Sequence, residues 1–199
     1  MIMIIDHCDK TISIKIVYFG PAFSGKTTSI KALFTQLGRG DKIHSIESTV
    51  SRTLFFDYGT VTFQNQEWKL KIHIYTTTGQ DFYFITRPIT LRAVDGVILV
   101  LDSQREVYDR NLASWNELIS YFRESIEYIP IIIAFNKQDL QEKLNPEEFL
   151  REINFKEYKN IESRYTSALL GEGILDCFED ILGLTLEKYY KNKLISVVN

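Results

Sequence analysis

The chain has 199 residues, of which 45 % are apolar and 25 % charged, with a formal net charge of −3. That length supports one substantial core and is short for two. An acidic balance argues against a general grip on nucleic-acid phosphates, and two cysteines, Cys8 and Cys177, do not make a disulfide framework and fit a reduced, cytoplasmic setting.

The opening "MIMIID" lacks the charged start and length of a signal peptide. No apolar run approaches the ~18 residues that span a bilayer. The second residue is Ile2 and the chain ends "LISVVN", so neither end carries a lipidation motif. No integral membrane segment and no lipid anchor is expected. Any membrane contact should be weak or go through a partner.

"TISIKIVYFG" (11–20) alternates and then turns apolar, as a strand entering a sheet does. "KTTSIKALFTQL" (26–37) places Ile30, Leu33, Phe34 and Leu37 at helical spacing. Residues 38–52 are polar and aperiodic and read as a loop. "TLFFDYGTVTFQ" and "EWKLKIHIYTTT" read as a hairpin turning near Asn65-Gln66, with Trp68, Leu70, Ile72 and Ile74 on one face. "DGVILVLDS" and "IPIIIAFNK" are continuous apolar runs, suited to strands buried on both faces of a largely parallel sheet. Helices are expected over about 107–127, after Pro146, and over the last stretch from Ile174, where Leu175, Phe178, Ile181 and Leu182 share a side. "IESRYTS" is the last strand. No repeat or linker interrupts the order. The expectation is an α/β fold as a single domain over 1–199: a mostly parallel six-stranded sheet with one antiparallel strand and helices on both faces.

Between the first strand and the first helix lies "GPAFSGKT" (20–27), which fits G-x-x-x-x-G-K-S/T, the phosphate loop of P-loop NTPases. The backbone of Gly20, Ala22, Phe23, Ser24, Gly25 and Thr28 forms a nest for phosphate oxygens, and the helix adds its positive end. Lys26 is placed to bridge the β- and γ-phosphates, and the Thr27 hydroxyl to reach Mg²⁺. Gly25 avoids a side chain against the phosphates.

"NKQD" (136–139) follows an apolar strand. Asp139 there can accept two hydrogen bonds from guanine, which adenine cannot offer, and a buried carboxylate left unpaired would give discrimination. The Lys137 stem can lie over the base, and Asn136 can tie this loop to the phosphate loop. In "TSAL" (166–169), Ser167, Ala168 and Leu169 border the base, with the Ala168 amide as donor to guanine O6. Taken alone "NKQD" could be a polar strand-to-helix turn, but its place at a strand end ~110 residues after a phosphate loop favours the base-binding reading, whereas "TSAL" could equally be an ordinary strand-to-helix loop.

In this order the motifs resemble the small GTPases of the Ras superfamily, in detail the MglA type of bacterial and archaeal polarity GTPases. The resemblance rests on "KIVYFGPAFSGKTT", "RTLFFD" (52–57), "YTTTGQDFY" (75–83), "RPITLRAVDGV" (87–97) and "NKQDL", and spans nearly the whole chain. It implies a GTP/GDP-binding switch that hydrolyses GTP with Mg²⁺. Thr53 would reach Mg²⁺ and the γ-phosphate in the GTP state, Gly79 would give its amide to the γ-phosphate, and Gln80 would orient the attacking water. Arg52 stands where the family carries an internal arginine finger, a device worth roughly 10³–10⁵ in rate. The resemblance further implies a roadblock/longin-type activating protein, nucleotide-dependent effectors, and a hairpin over Thr53–Lys71 that slides between states.

Three positions depart from the pattern. Thr76 stands where most relatives have an aspartate that holds a water of the Mg²⁺ shell, a hydroxyl being a poorer partner than a carboxylate; Asp57 on the neighbouring strand is the candidate substitute. Ala22 replaces a glycine beside the γ-phosphate and should slow hydrolysis. Leu169 replaces a lysine and should loosen packing beside the base. Arg87 and Arg92 read as structural or surface charge, the trio His7, Cys8 and Asp9 as a strand edge rather than a metal site, His44 as a loop residue, and His73 as a strand residue opposite Ile72 and Ile74. The competing functions are a guanine-nucleotide-binding scaffold or assembly subunit with negligible turnover, and an ATP-using kinase, which leaves "NKQD" unexplained.

Overall fold

The computed structural model describes residues 3–38, 43–47, 53–77 and 86–198, with side chains over 3–38, 57–77 and 87–191. Its strands are β1 (Ile4–Asp6), β2 (Thr11–Phe19), β3 (Ile43–Glu47), β4 (Thr53–Gln64), β5 (Lys69–Thr76), β6 (Gly96–Asp102), β7 (Ile131–Asn136) and β8 (Ile161–Tyr165). The helices are α1 (Lys26–Gln36), α2 (Thr86–Leu91), α3 (Tyr108–Phe122), α4 (Pro146–Glu152) and α5 (Ile174–Val198).

The sheet runs β3-β4-β5-β2-β6-β7-β8, with β1 paired to β2 off this path. The six expected strands form its body. β5, β2, β6, β7 and β8 are mutually parallel, and β4 is antiparallel to β5. Two short strands add to it. β1 lies antiparallel to β2. β3 lies antiparallel to β4, pairing His44 with Tyr58. The reading of 38–52 as loop, and of His44 with it, is therefore corrected at 43–47: an exposed edge of β4 recruits these residues, although their own pattern is weak.

Both faces of the inner strands are covered, as the continuous apolar runs require. Alternate residues of β2, β6 and β7 point to opposite sides. Val17, Leu99 and Ile133 pack with Trp115 and Leu118 of α3 and Phe149 of α4. Ile16, Ile98 and Ile132 pack with Leu33 and Phe34 of α1 and Phe178 and Ile181 of α5. Two glycines permit close approach on this second face. A Cβ at Gly59 would stand against the Phe34 ring, and one at Gly96 against Thr185 and Ile181.

The hairpin turn falls where expected. Asn65 Oδ1 accepts from the Glu67 and Trp68 amides at 2.9 and 2.7 Å, an Asx-type turn. Ile72 and Ile74 are fully buried, and His73, on the other face, is hydrogen-bonded at Nδ1 to Tyr58 Oη. His7, Cys8 and Asp9 form the β1–β2 turn, where Asp6 Oδ1 accepts from the Cys8 and Asp9 amides. Among the described residues no cluster of three or more His, Cys, Asp or Glu side chains is arranged to hold a metal, and no helix is long and apolar enough to cross a membrane.

One core residue is locally unsatisfied. Tyr18 is 1 % exposed, and its hydroxyl has no hydrogen-bond partner among the described residues. Burial pushes its ionisation well above the ordinary tyrosine range. A buried orphan hydroxyl costs about 1–3 kcal/mol. Tyr18→Phe should therefore keep or raise stability, by about 1 kcal/mol in urea denaturation; a loss of similar size would show that the hydroxyl has a partner.

Candidate functional site

The parallel order β2-β6-β7-β8 brings the C-terminal ends of these strands together, and the loops that leave them build one site. The first is residues 20–25, between β2 and α1. Gly20 has φ +139° and Gly25 φ +100°, conformations that glycine adopts without penalty. A Cβ at Gly20 would meet the Val100 carbonyl, and one at Gly25 the Asn136 side chain. The absence of a side chain at Gly25 is thus demanded by Asn136 within the protein, a reason the motif alone does not supply. Helix α1 starts at Lys26 with no acidic residue in its first turn, so its positive end is not neutralised by its own sequence.

Lys26 is 7 % exposed and curls back, Nζ donating to the Gly20 and Pro21 carbonyls at 2.9 and 2.6 Å. Burial, then the charge of Arg87, lower its pKa from 10.5 to about 7, with Asp57 opposing. Ser24 is fully buried, and its Oγ has no partner among the described residues. Ala22 is half-buried, whereas Phe23 and Thr28 face solvent.

Beside α1 stands Asp57. The period of β4 puts Asp57, Gly59 and Val61 on its buried face, and the same face of β5 carries Thr76. Asp57 is fully buried. Its Oδ2 accepts from Thr27 Oγ1 at 2.5 Å and from Thr76 Oγ1 at 3.1 Å, while its amide donates to Thr76 Oγ1 at 2.7 Å. The other oxygen, Oδ1, has no hydrogen-bond partner among the described residues. The expectation that Asp57 could stand in for an aspartate at position 76 therefore has a geometric basis: carboxylate and threonine are in direct contact. A buried carboxylate oxygen without a donor, next to the Thr27 hydroxyl, is a donor set for a hard cation or its water.

The second loop follows β7. Asn136 is 2 % exposed. Its Nδ2 donates to the Ser24 carbonyl at 2.7 Å, the predicted tie between the two loops. Its Oδ1 accepts from the Ala168 amide at 2.9 Å and Thr166 Oγ1 at 3.2 Å. The Ala168 amide thus points at Asn136 here, and a base would have to share that donor. Asp139 Oδ1 accepts from Ser167 Oγ at 2.5 Å, which leaves its second oxygen to face a ligand. Asp139 is exposed rather than buried as expected, so a base would have to supply the burial on which discrimination depends. Leu169 is 76 % exposed.

Lys137 reveals a partner that the motifs do not name. Its Nζ lies 2.5 Å from Asp102 Oδ2 and 3.5 Å from Gln104 Oε1. Asp102 pairs with Asn136 in the β6–β7 ladder, is buried, and has its backbone held from both sides by Asn111. The acidic residue closing the apolar run "VILVLD" was the available signal. Arg87 is buried and ion-paired with Glu117, as the structural reading expected. Arg92 is exposed.

Hydrogen bonds of Asn136 and Asp139 join the segments that carry Ser24, Ser167 and Ala168, and Gly20, Ala22, Phe23, Gly25, Lys26 and Thr27 lie in the same stretch of chain as Ser24. Thr53 is described in its backbone only, as the first residue of β4. Arg52, Gly79 and Gln80 lie outside the described residues.

A model of the Ras family matches residues 15–187. The chain is 33 % identical over 193 residues to the mutual gliding-motility protein MglA of Myxococcus xanthus, covering 94 % of this chain and 97 % of that protein. It is 28 % identical over 188 residues to the Ras-related protein Rab-5B of Plasmodium falciparum, covering 90 % and 83 %. Against the uncharacterized protein MJ1339 of Methanocaldococcus jannaschii it is 30 % identical over 131 residues, 66 % of this chain and 74 % of that one. A family match across this span, on a site built from the same segments that carry the motifs, shows that the chain belongs to the Ras family of small GTPases.

Proposed function

We propose that this chain, folded as one G domain over residues 1–199, is a molecular switch that binds GTP and GDP, hydrolyses GTP, and changes its affinity for partners with the state of the nucleotide. Ras-family membership carries guanine-nucleotide binding with it. The observation that supports the site assignment best is the Asn136 side chain, which bonds the phosphate loop and the 166–168 segment at once.

In this reading Lys26 leaves its carbonyl partners for the β- and γ-phosphates, and the loop amides and the α1 N-terminus hold the remaining oxygens. Asp139 and Ala168 select guanine. Thr27, Thr53 and Asp57 would hold Mg²⁺, and the Oδ1 of Asp57, without a hydrogen-bond partner among the described residues, is the feature of the protein that fits such a group. Mg²⁺, when bound, would neutralise charge that gathers on the phosphate oxygens. Gln80 orients the water for in-line attack, Gly79 holds the γ-phosphate, and Arg52 places positive charge against the transition state. The switch would involve residues 39–53 and 78–92, with a roadblock/longin-type protein as activator and a cytoplasmic setting.

A single turnover of GTP on the purified, Mg²⁺-loaded protein tests this. Hydrolysis should be slow in the parent and roughly 10²-fold slower or absent in Gln80→Leu. GTP that stays intact on both would favour the scaffold reading.

Asp57→Asn keeps the shape but removes the charge. It should weaken Mg²⁺-dependent retention of GDP by about tenfold or more, read as faster release in Mg²⁺ and an unchanged rate in EDTA. Equal behaviour of the two proteins in Mg²⁺ would remove Asp57 from the metal site.

Lys26 gives a pH signature. With a folded pKa near 7 against 10.5 ordinarily, the unfolded chain holds more protons between those values, so the stability of the nucleotide-free fold rises with pH there. Bound phosphates would hold Lys26 protonated, so nucleotide binding takes up a proton and weakens as pH rises through the same window. From pH 7 to 9 the nucleotide-free melting temperature should rise while GDP affinity falls, and Lys26→Met should flatten the first trend. Parallel trends in the parent would refute the assignment.

A further inference from the structure

Among the described residues, six other than glycine have positive φ: Lys10, Phe23, Ala93, Arg123, Lys137 and Asn154. Phe23 is the one aromatic in this group. Its φ is +63°, in the left-handed region where a Cβ crowds its own carbonyl and where a bulky residue is an outlier. Glycine would occupy this position without that strain.

A strained residue is normally held by what its side chain gains in packing. Phe23 gains little from the protein, because it is 72 % exposed. A single exposed aromatic needs no explanation, and a single left-handed residue in a tight loop needs little. A phenylalanine that is both is opposed by its backbone and by its solvation, in a loop where glycine would serve.

The loop cannot relieve the strain by turning away. Pro21 is buried on one side of Phe23. On the other, Ser24 is fully buried, with its carbonyl held by Asn136 Nδ2. That hydrogen bond also fixes which backbone lies next to Phe23. Phe23 immediately precedes Ser24, and Lys137 immediately follows Asn136. Lys137 is left-handed too, at φ +69°. Phe23 and Lys137 are therefore the chain neighbours of the two residues that one 2.7 Å bond joins. The Lys137 ammonium is drawn toward Asp102. The phosphate-binding groups Lys26 and Thr27 lie further along the chain, at the start of α1. Phe23 is thus the chain neighbour of the residue at which the phosphate loop and the base loop are joined.

From this geometry we infer that Phe23 is a positioning residue that closes on the sugar–base part of the bound guanine nucleotide and sets how slowly it leaves. The inference rests on the nucleotide-site reading above. The chemistry suits it: an aromatic face packs on ribose C–H groups and base edges and loses its own exposure in doing so. The left-handed backbone is the cost of presenting a ring at that point.

The test uses the full chain loaded with tritiated GDP and chased with excess unlabelled GDP, beside melting curves of the nucleotide-free protein. A ribose-borne dye is avoided because it would sit where the ring closes. Phe23→Gly removes ring and strain together. Phe23→Asn removes the ring but keeps a residue that tolerates left-handed backbone without glycine's freedom. Both should release GDP roughly tenfold faster, with a nucleotide-free melting temperature equal to or above that of the parent. Phe23→Tyr should release as slowly as the parent. Release at the parent's rate from both ring-less variants would overturn the inference. So would a lowered nucleotide-free melting temperature in both, which would place the ring in the protein's own packing. A parent that retains no GDP would defeat the nucleotide-site reading itself, whereas firm retention by parent and variants alike would defeat only the clamp.

Discussion

One buried amide, that of Asn136, holds the site together. It is anchored at the end of β7 and spends both its polar atoms on other loops: Nδ2 on the Ser24 carbonyl, Oδ1 on the Ala168 amide and the Thr166 hydroxyl. These are the loops that follow β2 and β8. The parallel sheet brings the three strand ends close, but loops at strand ends have many conformations open to them. A buried amide with its hydrogen bonds satisfied selects one of them, and leaving one unmade there would be expensive. Much else follows locally. Gly25 has no side chain because the Asn136 amide occupies that space. The Ser24 carbonyl has its direction set by the bond.

How far the sequence revealed this depended on whether the information was local. The apolar runs of β6 and β7 and the helical spacing of α1 were legible, because burial on both faces of a strand and on one stripe of a helix leaves a direct imprint. The phosphate loop and "NKQD" were legible for the same reason: each is contiguous. The tie from Asn136 to the phosphate loop could be anticipated because both partners lay within such motifs. The Asp102–Lys137 pair was not, since nothing before strand pairing says that Asp102 stands across from Asn136. Strand β3 was missed because "IHSIE" is recruited by the edge of β4 rather than by its own pattern. α2 is a six-residue helix, too short for a period to show. Asp139 is exposed where a buried carboxylate was expected, because a motif names the groups that would meet a ligand and not how deep they sit in the protein.

Asp57 shows the same limit from the opposite side. A departure at Thr76 drew attention to it, yet the contact joins residues 19 and 30 positions apart, and only the two-residue period of β4 aims the carboxylate at α1. A carboxylate on β4 has a consequence for its neighbours. Thr76 bonds both the amide and the carboxylate of Asp57, so the group facing Thr27 is tied to the register of the hairpin. A one-residue slip of β4 would turn Asp57 to the opposite face of the sheet. The charge beside Thr27 and the pairing of β4 with β5 are therefore one structural variable, not two.

The protein alone does not balance this site. Lys26 is buried and its charge is disfavoured by desolvation and by Arg87, while Asp57 presents a carboxylate oxygen, Ser24 a hydroxyl, and neither has a donor or acceptor to meet among the described residues. Lys26 satisfies itself by folding back on the carbonyls of its own loop, a weaker partnership than an anion would give. Each of these groups costs the fold something on its own, and buried polar groups left in this state are where a native structure departs from the rule of full satisfaction. A polyanion with a hard cation would answer them together, placing negative charge at Lys26 and positive charge at Asp57. A ligand that binds only the folded state also adds to its stability by mass action. The groups that cost the free fold most are therefore the ones from which such a ligand would gain most.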